Sequence, residues 1–173
     1  MARVAEGSLD LGFVRLPAVP AAAPPGVATR VIGEEELICA VPSDHRLARH
    51  GRVPVSALAE EPFVGFPANT GSSLRDATLL VCEAAGFTPR TVQEAPDSHT
   101  VLALVAAGVG VTLTLSSCRH IQQTGLVYRP LDGPPVRLRP ALAWRTDNPS
   151  AALRTVLVVA EQALPTPGHL AAV

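Results

Sequence analysis

Lysine is absent from these 173 residues: all 14 basic side chains are arginine. Lysine catalysis is thereby excluded, and so is a phosphate-binding loop of the G-x-x-x-x-G-K type; no G-x-G-x-x-G run occurs either. Cysteine is scarce and odd in number. Cys39, Cys82 and Cys118 lie far apart with no C-x-x-C pair, so neither a zinc site nor a disulfide framework is expected. All three sit in apolar stretches and read as small core hydrophobes, which fits a reduced, cytoplasmic compartment. No run of about 18 apolar residues exists, so no membrane span is expected, and no signal peptide opens the chain. Net charge is only −1. A phosphate backbone demands a basic patch, and none is visible, so this chain by itself is not expected to bind nucleic acid. Aromatic residues amount to 3%.

What is present is leucine, valine and alanine. Apolar residues make up 47% of the chain, enough for a core and against disorder. The length fits one domain or two small lobes, and such a chain buries roughly 70% of its unfolded surface.

The stretch from Ala95 to Leu113 is the most informative. It reads as a loop, a short helix, a glycine stop and a strand. Asp97 or Ser98 caps the helix. Val101, Leu102, Leu104 and Val105 make it apolar nearly all round, hence buried. Gly108 and Gly110 end it, as residues that tolerate positive φ. Residues 109–115 then read as a strand covered on both faces, as in parallel sheets.

Elsewhere, residues 9–14 read as a strand. Four prolines in residues 15–27 forbid helix or central strand. Residues 28–41 are extended, bent at the acidic triplet Glu34, Glu35 and Glu36. Residues 63–66 form a buried strand. A helix then opens at Thr70-Gly-Ser-Ser73, with Ser73-x-x-Asp76 as a capping box and Leu74, Ala77, Val81, Ala84 and Ala85 as its apolar face. Gly86 stops it. A strand over 90–95, a polar helix over 116–123, strands over 126–131 and 136–145, and a helix over 149–164 complete the pattern. Strand and helix alternate, which predicts an α/β architecture with mostly parallel strands.

The segment VQEAPDSHTVLALVAAGVGVTL resembles the matching segment of the effector-binding domain of LysR-type transcriptional regulators. Gly7-Ser-Leu-Asp-Leu-Gly-Phe13 resembles that family's "G-x-L-D-L/I" strand. Residues 36–48, ELICAVPSDHRLA, resemble its crossover strand and "P-x-D-H-P-L-A" turn. Gly86-Phe-Thr-Pro89, Gly125-Leu-Val-Tyr-Arg-Pro-Leu131 and Leu142-Ala-Trp-Arg145 follow in order, so the resemblance covers residues 6–163. It implies a two-lobe, periplasmic-binding-protein-like (type 2) effector domain. Residues 38–122 would be the second lobe, and residues 1–37 with 123–173 a discontinuous first lobe. It also implies that the DNA-binding domain and the first strand–helix units of that lobe are missing. The truncated lobe is then expected to cover its exposed edge by self-association or by pairing with a full-length relative.

Two helix N-termini are candidate ligand sites, because their free N–H groups and dipoles favour an anion. One carries Thr70, Gly71, Ser72 and Ser73, the other Ser98, His99 and Thr100, with Phe66 and Val101 as apolar wall. Each group also has a plainer reading. The hydroxyls at 70–73 and Ser98 can simply cap their helices, with Ser73 able to replace Ser72. His99 can be a cleft-edge histidine, and His45 can hold the turn after the crossover strand. Cys118-Arg-His120 is a weak metal pattern, and no metal or cofactor is expected. Asp97, Ser98 and His99 are adjacent, which is poor geometry for a triad, and no G-x-S-x-G elbow exists. The leading expectation is a regulatory domain that binds a small anionic effector. The alternative is a truncated interaction module that senses nothing, and a hydrolase-like enzyme is a remote third.

Overall fold

The computed structural model describes residues 1–16, 23–68 and 72–164. The expectations placed on Thr70 and Gly71 lie outside the described residues. In chain order the elements are α1 (Ala2–Ala5), β1 (Leu11–Leu16), β2 (Val27–Val31), β3 (Glu35–Pro42), β4 (Pro62–Gly65), α2 (Ser73–Ala84), β5 (Arg90–Glu94), α3 (Ser98–Ala106), β6 (Thr112–Leu115), β7 (Leu126–Pro130), β8 (Arg137–Arg145) and α4 (Ala151–Ala163). They fall into two compact units, Met1–Glu35 with Leu138–Val173, and Glu36–Arg137.

The first boundary falls within the acidic triplet. The second lies at 137/138 rather than near 122, a correction to the boundary drawn from sequence. Its cause is pairing: β7 runs antiparallel to β3, from Ile38↔Pro130 to Pro42↔Leu126, and so holds residues 126–130 in the second unit.

In the first unit β8 is central. Ala141–Trp144 pair with β1 on one edge and β2 on the other, both antiparallel. Phe13, Leu142 and Arg30 stand in one row, so their side chains share a sheet face. The Arg30 guanidinium on that face donates to the carbonyls of Glu161 and Leu164, at 3.4 and 3.2 Å, which puts the C-terminal end of α4 there. α1, which the sequence did not announce, covers the other face, where Val4 packs on Val27 and Ala143. Ser150 starts α4 by accepting from the Leu153 N–H at 3.2 Å.

In the second unit, β3 holds β6 and β7 on opposite edges, since Ile38, Cys39 and Ala40 pair with both. β4 and β5 pair in parallel. A parallel bridge from Phe63 to Val111 ties that pair to the start of β6. The expected mostly parallel sheet is therefore corrected: β1 and β2 pair antiparallel with β8, β6 and β7 pair antiparallel with β3, and parallel pairing is seen in β4 with β5 and in two isolated bridges. Parallel pairing arises where β4–α2–β5 and β5–α3–β6 supply crossovers long enough to return the chain. β6 is buried on both faces all the same, because α2 contacts it and α3 contacts it too. Continuous hydrophobicity reported its cover, not its direction.

Both helices end as their glycines require. Gly86 and Gly108 have φ of +86° and +82°. Each helix closes with a Schellman pair: Phe87 N–H to Cys82 O with Gly86 N–H to Glu83 O, and Val109 N–H to Leu104 O with Gly108 N–H to Val105 O. Gly110 serves another purpose and corrects its expected role. Its φ is not positive. A Cβ there would lie 2.3 Å from the Pro62 carbonyl oxygen, so glycine permits β4 and the entry to β6 to touch backbone to backbone. α3 is also less enclosed than its apolar sequence suggests. Val101, Leu102 and Val105 are buried, while Ala103 and Ala107 face solvent. In α2 the buried residues are Leu74, Ala77 and Cys82, and Ala84 and Ala85 are exposed.

Candidate functional site

β4 and β5 run side by side, and each delivers the chain from its carboxyl end into a helix. The Ala95 N–H donates to the Gly65 carbonyl at 3.0 Å, which continues the pairing past the strand ends. The loops before α2 and α3 therefore leave adjacent parallel strands, about 4.8 Å apart. In open α/β sheets ligands bind at that end.

At α2 the cap is Ser72, whose Oγ accepts from the Arg75 N–H at 3.4 Å. Ser72 is extended, at φ −75° and ψ 110°, and Ser73 is the first helical residue. The capping box expected at Ser73 and Asp76 is thus replaced by a cap one residue earlier. The helix begins where the backbone turns, and that point precedes Ser73. Arg75, which the sequence reading passed over, lies in the first turn. It is half-buried and lines a small cavity with Gly65, Phe66, Thr78, Thr91 and Thr112. Among the described residues its guanidinium has no hydrogen-bond or ion-pair partner. The cavity measures about 30 Å³, room for water rather than for a whole small-molecule ligand.

At α3 the cap is Asp97. One carboxylate oxygen accepts from the Thr100 N–H at 2.9 Å, the other from the Thr100 hydroxyl at 2.8 Å. The Thr100 backbone N–H, then its hydroxyl, hold the Asp97 carboxyl below the usual range. This end of the site already carries a negative charge, exposed to solvent. It satisfies the dipole that an anionic ligand was expected to satisfy. Ser98 is half-buried, His99 and Thr100 are exposed, and Val101 is 2% exposed within the Val64, Ala95 and Val105 cluster. Val101 is therefore core, not ligand wall. Phe66 packs on that same cluster while remaining partly open.

The groups weighed as alternatives also find their places. His45 Nδ1 accepts from the Leu47 N–H at 3.2 Å. That leaves Nε2 to carry the proton and donate to Glu61 at 3.1 Å, while Arg46 meets the other Glu61 oxygen at 2.6 Å. His45 holds its turn. Burial pushes the Cys39 thiol up to about 12 and that of Cys82 up to about 11, so both are neutral and poor nucleophiles. The Thr114 hydroxyl donates to Cys118 Sγ at 3.1 Å. Among the described residues no group of three His, Cys, Asp or Glu side chains is placed to hold a metal. Both Asp97 oxygens accept from Thr100, and the His99 contribution to the carboxyl is a weaker one from its backbone N–H and its charge, an arrangement of a helix cap and not of a triad.

The LysR substrate binding domain model matches residues 1–165. The HTH-type transcriptional regulator ShiR of Corynebacterium glutamicum is 36% identical over 154 residues, which is 89% of this chain and 51% of that protein. The HTH-type transcriptional regulator XapR of Escherichia coli is 33% identical over 131 residues, 76% of this chain and 43% of that protein. The chain thus spans about half the length of the curated relatives it matches. Among solved structures, the C-terminal domain of a probable LysR family transcriptional regulator from Rhodococcus sp. RHA1 superposes with a TM-score of 0.75 at 24% identity, over 92% of this chain and 78% of that one. The BenM effector-binding domain with its effector benzoate gives a TM-score of 0.71 at 24% identity, over 95% of this chain and 76% of that one. The chain belongs to the LysR substrate-binding domain family, a family of transcriptional regulators, and has the mixed α/β, periplasmic-binding-protein-like fold of LysR effector-binding domains.

Proposed function

We propose that this chain is the ligand-sensing part of a cytoplasmic transcriptional regulator, catalyses no reaction, and takes a small effector at the carboxyl ends of β4 and β5. The observation that carries this reading is the unlike pair of helix ends there. The α2 end offers first-turn N–H groups, the hydroxyls of Ser72 and Ser73, and the guanidinium of Arg75, which has no partner among the described residues. The preceding Thr70 and Gly71 complete that loop in sequence. The α3 end presents the Asp97 carboxylate, bordered by Ser98, His99 and Thr100.

An effector carboxylate therefore belongs at α2, where dipole, N–H groups and guanidinium all favour it. The other end of the ligand faces Asp97 and is suited to carry a hydrogen-bond donor. Phe66 supplies apolar contact between the two. Benzoate, the effector of BenM, is a carboxylate on the same fold, which supports the anionic half of the reading. The experiment is a calorimetric screen of small carboxylates, repeated on Arg75→Ala. A second reading, an interaction module that senses nothing, is favoured by one observation: the exposed valines of α4 at positions 156, 158 and 159.

A further inference from the structure

The second unit has a cleft that the effector reading leaves unused. It lies between the helical turn Ser116–His120 and β7, measures about 510 Å³, and is walled by Arg119, Gln122, Gln123 and Thr124. Its floor is Ile121, Leu126 and Tyr128, which pack on the buried Ala40, Leu102 and Cys118 and stay partly open to solvent. Small-molecule sites have volumes of roughly 300–1,000 Å³. The loop that forms the cleft meets the far end of α3 from the β4 and β5 loops. A Cβ on Gly125 would lie 3.1 Å from the carbonyl oxygen of Ala106, the last residue of that helix. The 9 residues of α3 span about 13 Å.

The loop is held by its backbone, and its polar side chains are spare. The Tyr128 hydroxyl donates to the Ile121 carbonyl at 3.0 Å. The Gln122 N–H donates to the His120 carbonyl at 3.1 Å, the Leu126 N–H to the Gln123 carbonyl at 3.3 Å, and the Ser43 N–H to the Gly125 carbonyl at 2.8 Å. None of these bonds uses the side chains of Gln122, Gln123 or Thr124. Among the described residues those three side chains and the Arg119 guanidinium have no hydrogen-bond or ion-pair partner. Groups carried on a fixed backbone bind with less cost of ordering.

Charge and hydrogen-bonding type select the ligand. Residues 98–131 contain no aspartate or glutamate, although the chain has 15, and no carboxylate lines the cleft to neutralise Arg119. A guanidinium so placed suits a phosphate or a carboxylate. The other polar groups are two carboxamides and a hydroxyl, and each can both donate and accept. Ligand hydroxyls also do both. An unsubstituted ring would displace water from these groups and return no hydrogen bond.

We propose that this cleft is a second ligand site, for a small hydroxylated anion of the sugar phosphate or sugar acid class. Arg119 takes the charged group, Gln122, Gln123 and Thr124 take hydroxyls, and Leu126 and Tyr128 meet the apolar edge of the ligand. The site shares no residue with the effector reading and stands or falls apart from it.

Amide nuclear magnetic resonance spectra of the chain, titrated to about 20 mM ligand, read position and affinity together. The probes are glucose 6-phosphate, gluconate, inorganic phosphate and benzoate. Glucose 6-phosphate or gluconate should shift the amides of residues 119–126 and the side-chain amides of both glutamines, and whichever binds more tightly assigns the charged group. Arg119→Ala should weaken that ligand by about fivefold or more, the effect of a charge-assisted hydrogen bond at a solvent-facing position. Gln122→Ala with Gln123→Ala should weaken it by about fivefold as well, and leave inorganic phosphate unchanged. These side chains hold no part of the fold together, and the dispersion of the same spectra checks that it persists. Arg49→Ala, an exposed arginine of the same unit outside the cleft, should change nothing. Shifts confined to residues 72–76 and 97–100 would place the ligand in the effector site and overturn the proposal. So would an unshifted 119–126 segment, equal affinity in Arg119→Ala, or inorganic phosphate or benzoate binding the cleft as tightly as the hydroxylated anion.

Discussion

Replacing Gly110 by alanine should destabilise the second unit well beyond what its backbone angles suggest. Its φ is not in the left-handed region, so alanine adopts the backbone without strain and by restricting the unfolded chain returns about 0.4–1 kcal/mol. Against this stands contact. The added Cβ would sit 2.3 Å from the Pro62 carbonyl oxygen and 2.9 Å from its carbon. That oxygen accepts from the Val111 N–H at 2.8 Å, and the Val111 carbonyl accepts from the Val64 N–H at 2.9 Å. Relief of the clash must open both bonds, at about 0.5–1.5 kcal/mol each, with overpacking strain of about 1–3 kcal/mol besides. A net loss of about 2–4 kcal/mol is expected. Gly86→Ala is the control. Its φ is +86° with nothing within 4 Å of the added carbon, so only the left-handed penalty of about 1–2 kcal/mol applies. Urea denaturation of both variants measures the difference. If Gly110→Ala proves as stable as the parent, or loses less than Gly86→Ala, the backbone contact between β4 and the entry to β6 is wrong. The site at the end of β4 would then be wrongly placed.

Ser72→Ala should cost about 1 kcal/mol of stability by removing the α2 cap, whereas Ser73→Ala should be near neutral, and thermal unfolding separates the two. Asp97 titrates below its unfolded value, so its contribution to stability is complete above about pH 4 and is lost as pH falls through the depressed folded value. Acid unfolding of Asp97→Asn should therefore lack that component, and an identical acid limb would refute the Thr100 contacts. Cys39, raised to about 12, acts in the opposite sense. The unfolded thiol ionises from about pH 8.5 while the folded one cannot, so stability falls by about 1.4 kcal/mol per pH unit from there toward pH 12. Cys39→Ala should flatten that alkaline limb, and an unchanged slope would show that the thiol is not sealed from solvent.

The parts of the fold that the sequence disclosed are those governed by local rules. The α3 segment carries its own cap, periodicity and glycine stop, and Asp97 and Gly108 act there as their chemistry requires. Proline in residues 15–27 fixed where β1 must end. Strand direction was not legible, because β6 is equally apolar whether its partner runs parallel or antiparallel. Nor was the second boundary: residues 126–130 look the same in either unit until their pairing with β3 is known. At the site, the two helix ends were legible from their hydroxyls and glycines. Two features were not. Arg75 reads in sequence as an ordinary helical arginine, and only its position beside Phe66 and Gly65 sets it apart. Asp97 reads as a cap, and only the geometry shows that its charge occupies one of the two ends expected to attract an anion. The Ser72 cap was displaced by one residue, within the usual uncertainty of a helix start.

The most direct test of the effector site is titration calorimetry with a panel of small carboxylates, on the parent chain, Arg75→Ala and Asp97→Asn. A carboxylate should bind the parent and weaken by about 10- to 150-fold in Arg75→Ala, the effect of one lost charge-assisted hydrogen bond of about 1.5–3 kcal/mol. In Asp97→Asn, a purely anionic ligand should bind as tightly as before or more tightly, since a negative charge has left the site. A carboxylate that binds with the same affinity to the parent and to Arg75→Ala would place the effector site away from the ends of β4 and β5.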